Sequence, residues 1–131
     1  MLDQDSLLPD DIGDDPEARL LAAVRVLIDQ LREAEHQQRT MLRLSLEADP
    51  AERAQLPLRQ GRGIKWIEEA LVPLQPEMSA AEVHRLAIAI RSATGIEAMV
   101  WLTDVAGLSS HDAVDLMRWS ARAMLTAALA D

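Results

Sequence analysis

The side chains most able to do chemistry in this 131-residue chain are scattered. Its histidines stand at positions 36, 84 and 111, and no two of them have the spacing that sets metal ligands on one helical face within a recognisable motif. Glu68 and Glu69 are adjacent, so on a helix they point in different directions and do not make the carboxylate pair of acid–base catalysis. A solvated edge is expected there. Gln60-Gly61-Arg62-Gly63 puts two glycines ahead of a helix, as an anion cradle does, but the Lys-Ser/Thr of a phosphate loop does not come after it. No Ser, His and Asp set falls in a nucleophile motif. With no cysteine, disulfide frameworks and thiolate metal sites are excluded. The expectation is a chain that is not an enzyme, with no catalytic residue, no metal and no cofactor.

One constellation is sharper. His84 and Arg91 lie two turns apart on one side of a long helical stretch, away from the stripe of Glu82, Arg85, Glu97 and Asp104. A buried arginine is costly unless paired, so that side reaches solvent, meets acids across an interface, or lines a polar-tipped cavity. Met41, Trp66, Met99 and Trp101 are the large soft side chains of the middle of the chain, of the kind that fill helical cores or line pockets.

The elements that must position these residues are helical. Asp14-Asp15-Pro16-Glu17 is a helix start, and Leu20, Leu21, Val24, Leu27, Ile28 and Leu31 come after it at helical spacing. A second stretch runs from about Glu33 to Glu47, with a kink expected between Arg32 and His36. Ala48-Asp49-Pro50 ends it, and Pro57 breaks the segment from Ala51 to Gln60. The next helix occupies about Gly61 to Val72, with Ile64, Ile67, Ala70 and Leu71 inward. Ser79-x-x-Glu82 is a capping box that opens a long helix through Leu86, Ile90, Met99 and Leu102, with Gly95 inside it and Gly107 closing it. Ser109 or Ser110 then caps a last helix. No run alternates long enough for a strand, so the fold is expected to be all-α, a bundle of five to six helices.

The last helix is the most informative segment. At about 100° per residue, His111, Asp115, Arg118, Arg122 and Thr126 form one narrow polar stripe. The rest, including Val114, Met117, Trp119, Ser120, Ala121, Met124 and Ala128, is apolar or small. That surplus exceeds what one core needs. It predicts a partner, most economically a second copy related by a two-fold axis.

Charge narrows the class of partner. Seven of the nine net negative charges lie before Ala18, so residues 1–15 are expected to be an acidic arm or linker and residues 16–131 a nearly neutral helical domain. Without a basic face, and with no Tyr or Phe, the chain itself is not expected to bind DNA. No signal peptide is visible, and no uninterrupted apolar run approaches the ~20 residues of a membrane span. A cytoplasmic protein without a membrane partner is expected.

Several segments resemble a known family. Arg39-Thr40-Met41-Leu42-Arg43-Leu44-Ser45-Leu46-Glu47, Leu58-Arg59-Gln60-Gly61-Arg62 and Trp66-Ile67-Glu68-Glu69-Ala70-Leu71-Val72-Pro73-Leu74 look like the effector domain of TetR-family transcriptional regulators. So do Arg85-Leu86-Ala87-Ile88-Ala89-Ile90, Gly95-Ile96-Glu97-Ala98, Leu102-Thr103-Asp104-Val105-Ala106-Gly107-Leu108 and Met117-Arg118-Trp119-Ser120-Ala121-Arg122-Ala123. The resemblance implies an effector-binding and dimerisation domain whose last two long helices pair with their twins in a four-helix bundle. It implies DNA contact only through an amino-terminal helix-turn-helix, which this sequence does not contain. Under it, a small, largely apolar effector is expected at Met41, Leu44, Trp66, His84, Ile88 and Arg91. The dimer interface is expected at Val114, Met117, Ser120, Ala121, Met124 and Ala128. The alternative is a stand-alone helical dimerisation module that acts by heterodimer formation, without a ligand.

Overall fold

A computed structural model describes residues 8–55 and 62–130. The expected break at Pro57, the Gln60-Gly61 turn and the first half of the acidic arm lie outside the described residues. The chain is all-helical, with no strand among the described residues.

Helix α1 (Pro16–Glu33) starts where the sequence signals it: Asp15 accepts a bond from the Ala18 N–H at 3.1 Å, and Pro16 sits in the first turn, where a missing N–H costs nothing. The kink expected near residue 34 is a full break, because α2 (Glu35–Glu47) starts immediately beyond Ala34. A short helix not expected from the sequence, α3 (Pro50–Ala54), is opened by a reciprocal capping box. Asp49 accepts from the Glu52 N–H at 2.9 Å and its own N–H donates to Glu52 Oε1 at 3.3 Å. Helix α4 (Arg62–Ala70) passes into a 3₁₀ turn at Val72–Leu74. The expected box at Ser79 opens α5 (Ala80–Ser92), with bonds of 3.1 and 2.9 Å between Ser79 and Glu82.

The single long helix expected from Ser79 to Gly107 is not formed. The helix stops at Ser92, resumes as α6 (Ile96–Val100) and widens into a π turn at Trp101–Val105. Two local causes are visible. Thr94 donates its hydroxyl to the Ile90 carbonyl at 3.0 Å, competing with the helical ladder. Gly95 is extended and lies against Arg91, where a Cβ would overlap the guanidinium. Gly107 closes the segment with φ of +81°, a conformation that strains any residue with a side chain. The stretch Ala80–Val105 as a whole is long and apolar enough to cross a membrane by length and composition, although it carries Arg85, Arg91 and Glu97.

Helix α7 (Ser110–Ala130) is capped by Ser109, whose hydroxyl accepts from the Asp112 N–H at 3.0 Å. α1 packs against both α4 and α7, and α5 packs against the same two, so these four helices enclose the core while α2 lies on α6. Leu20, Val24 and Ile28 of α1 meet Ile67 and Leu71, then Leu86 and Ile90 of α5, Met99 of α6, and Met117 and Leu125 of α7. Two arginines finish helices other than their own. Arg19 of α1 donates to the carbonyls of Ala70 and Glu69 at 2.9 Å each, and to that of Gly13 in the arm at 3.0 Å. Arg53 of α3 does the same for α2, reaching the Ser45 and Ala48 carbonyls at 2.8 Å. In both cases a cation meets the negative end of a helix dipole and satisfies carbonyls that the helix leaves unpaired.

Candidate functional site

The polar stripe of α7 is exposed as expected, but the expected interface residues mostly face inward. Val114, Met117 and Ala121 are buried in the chain's own core, and Met124 and Ala128 are half-buried against it. Ser120 alone lies on the edge of an outer face. This inward placement has a plain cause. A helical wheel measures how wide an apolar arc is, not which half of it the rest of the chain occupies.

A second apolar or small stripe of α7 is displaced by a little more than 100° from the buried one: Leu116, Trp119 and Ala127 are exposed on it, and Ser120 and Ala123 are half-buried. Trp119 is 57% exposed and Leu116 38%. The π turn, which packs beside α7, separately exposes Trp101 at 58% and Val105 at 69%. An open cleft of about 630 Å³ runs along this side, lined by Leu21 of α1 and by Asp112, Asp115, Leu116, Arg118, Trp119 and Arg122. Its acids stand toward the start of α7 and its arginines toward the middle. Among the described residues no acid pairs with Arg118 or Arg122.

The residues expected to hold an effector do not line one wall. His84, Ile88 and Arg91 share a stripe of α5 that borders α4. There His84 Nδ1 lies 2.6 Å from Glu68 Oε2, and Arg91 donates to Glu97 Oε1 at 3.0 Å while its side chain crosses Gly63. Glu68, half-exposed on that edge, is therefore also a partner of His84. Its pairing joins residues sixteen apart, which no spacing rule on one helix can reveal. Trp66 is half-buried and lies two residues from Glu68, about 200° around α4, on the other flank. Met41 and Leu44 are half-buried on α2, which packs against α6. Ile88 is 46% exposed.

A polar network sits behind the π turn. Arg39 of α2 grips Asp104 with both terminal nitrogens, at 2.7 and 3.0 Å, and its Nε donates to Glu35 at 2.8 Å. Bidentate pairing of this kind fixes orientation as well as charge. The Asp104 carboxyl is held below the usual carboxylate range, first by the bond from Arg39 and then by that from Thr103. The Arg39 guanidinium is correspondingly pushed up, chiefly by Asp104 and then by Glu35. The same Thr103 hydroxyl lies 2.9 Å from Asp104 Oδ1 and 2.8 Å from the Met99 carbonyl, so its one proton is shared between two acceptors.

His111, Asp112 and Asp115 bring one potential ligand atom each within 4.8 Å of one another at the start of α7. The i, i+4 spacing of His111 and Asp115 is visible in the sequence. All three are exposed, and acids in a first helical turn are favoured by the dipole without any ion. No protein-family model, no curated protein and no solved structure matches this chain.

Proposed function

We propose that this chain is the helical dimerisation domain of a TetR-like transcriptional regulator, pairing with a second copy through the outer stripe of α7 and the adjoining π turn. The observation that carries it is the row Leu116, Trp119 and Ala127, left exposed beside half-buried Ala123 by a chain whose other α7 face is already buried. The charges support a second copy as the cover. In a two-fold pairing every contact occurs twice, residue i on j and j on i. Two antiparallel α7 helices crossing near Trp119 set Asp115 of one opposite Arg122 of the other, so that acids and unpaired arginines meet reciprocally. Ser120, Ala123 and Ala127 are small enough for helices to approach closely. A buried Trp or Leu at such a contact contributes about 1.5–3 kcal/mol.

In this reading DNA contact belongs to a helix-turn-helix outside this sequence, and a small, largely apolar effector to the flank of α4 that carries Trp66. Its half-buried indole lies outside the central cluster and is free to meet a ligand.

Sedimentation equilibrium tests the pairing. The expected result is twice the 14.5 kDa chain mass at micromolar concentration, and a folded monomer for Trp119→Asp. A wild-type monomer would overturn the proposal. So would cosedimentation of the wild type with phosphatidylcholine vesicles, because lipid would then be the cover of the apolar face.

A further inference from the structure

We propose that Arg39 is a positioning residue for the subunit interface: it holds the π turn in the register that presents Trp101 and Val105, and so ties subunit pairing to the placement of α2. The inference rests on the dimer reading and adds a control element to it.

A π turn is rare because its wider ring makes poorer contacts than an α-helix, and it persists where surrounding structure holds it. Here the Ala106 N–H donates to the Trp101 carbonyl at 2.9 Å and the Leu108 N–H to the Leu102 carbonyl at 2.9 Å, so the segment is closed at its far end by long-ring bonds. Its side-chain fastening comes from a different helix. Arg39 reaches across from α2 to take both oxygens of Asp104, approaches Thr103 Oγ1 at 3.4 Å, and is itself fixed by Glu35 one turn before it. Thr103 fills the carbonyl at Met99. Of the turn's three apolar side chains, Leu102 packs against the core, while Trp101 and Val105, at its first and last positions, are among the most exposed large apolar side chains of the described residues.

This geometry sets a direction of influence. Adding one residue to a turn rotates everything beyond it by about 100°. If the segment relaxes to α-helical register, Val105 leaves its place on the outer side. The bond that selects the wider register originates on α2, which takes no part in the α7 stripe. A displacement of α2 is therefore felt at the subunit contact through one guanidinium.

The test uses the full chain with Arg39→Met and Arg39→Lys, the second keeping the charge while losing the two-pronged grip. Subunit dissociation is read by sedimentation, and hydrogen exchange is read at the Ala106 and Leu108 amides. Arg39→Met is expected to weaken pairing about fivefold to tenfold, the effect of a partly exposed ion pair worth ~1 kcal/mol. Exchange at both amides is expected to quicken, and Arg39→Lys to fall between. Unchanged pairing in both variants overturns the inference, as does weaker pairing with unchanged exchange at the two amides. Should Arg39→Met fail to fold, Arg39→Lys carries the same two readouts. A monomeric wild type would instead sink the dimer reading, and the exchange arm would still decide whether Arg39 sets the register of the turn.

Discussion

Substituting Gly95 by alanine should cost stability through one identifiable neighbour. The new methyl would overlap the Arg91 guanidinium and crowd Glu97 Oε1, which lies 2.6 Å from the Cβ position. Arg91 is the flexible partner, so it must swing away. It then loses its bond to Glu97 and the contact of its stem with Gly63. Glu97 is 46% exposed, so the ion pair contributes less than ~1 kcal/mol after screening. The lost packing of a three-quarters buried side chain adds a comparable amount, and alanine is a poorer N-cap than glycine by a further few tenths. The sum is about 1–2 kcal/mol, or roughly 3–8 °C in Tm for a chain of this length. Urea denaturation followed by tryptophan fluorescence and circular dichroism, at one fixed protein concentration, measures it. The decisive comparison is a double-mutant cycle. In an Arg91→Ala background the added cost of Gly95→Ala should shrink to the N-cap contribution alone, giving a coupling of about 1 kcal/mol. Equal costs of Gly95→Ala in both backgrounds would refute the assignment of the helix break to Arg91.

Met117→Ala should lower stability by about 2–5 kcal/mol by opening a cavity between α1, α5 and α7, while leaving the subunit stoichiometry of the folded fraction unchanged in sedimentation. Arg19→Met removes three bonds to carbonyls and should cost about 1–3 kcal/mol in urea titrations, with faster hydrogen exchange in the last turn of α4. Asp104 titrates below its ordinary range, so its contribution to stability is complete above that range, near pH 4, and is lost as pH falls through the lower folded value. The urea midpoint of the wild type should therefore fall more steeply below pH 4 than that of Asp104→Asn, and parallel curves would count against the Arg39–Asp104 pairing.

Local signals are legible where one residue type does one job. Asp15 with Pro16, and Ser79 with Glu82, mark helix starts that the structure reproduces. The box at Asp49 and Glu52 uses the same code, but Pro50 reads in sequence as the stop of α2 as readily as the first residue of α3, and it is both. The break at 93–95 needs Arg91, four residues earlier, to lie across Gly95, a contact that composition does not announce. On α7 the sequence shows the width of the apolar arc but not its division. Which half is buried is decided by where α1 and α5 dock, and that depends on every other helix. The same holds for His84 with Glu68 and for Arg39 with Asp104, which lie sixteen and sixty-five residues apart.

The arginines that finish α2 and α4 from neighbouring elements bear on how this domain melts. Each of those helices lacks a basic residue in its own last turn and takes its closing charge from elsewhere in the fold. Neither end is complete until the tertiary contact forms, so an isolated peptide spanning α4 would fray at a terminus that is sealed in the intact domain. Secondary structure and packing are thereby made to depend on each other. Loss of the packing should take these helix ends with it in a single cooperative step, with no reservoir of finished helices left behind.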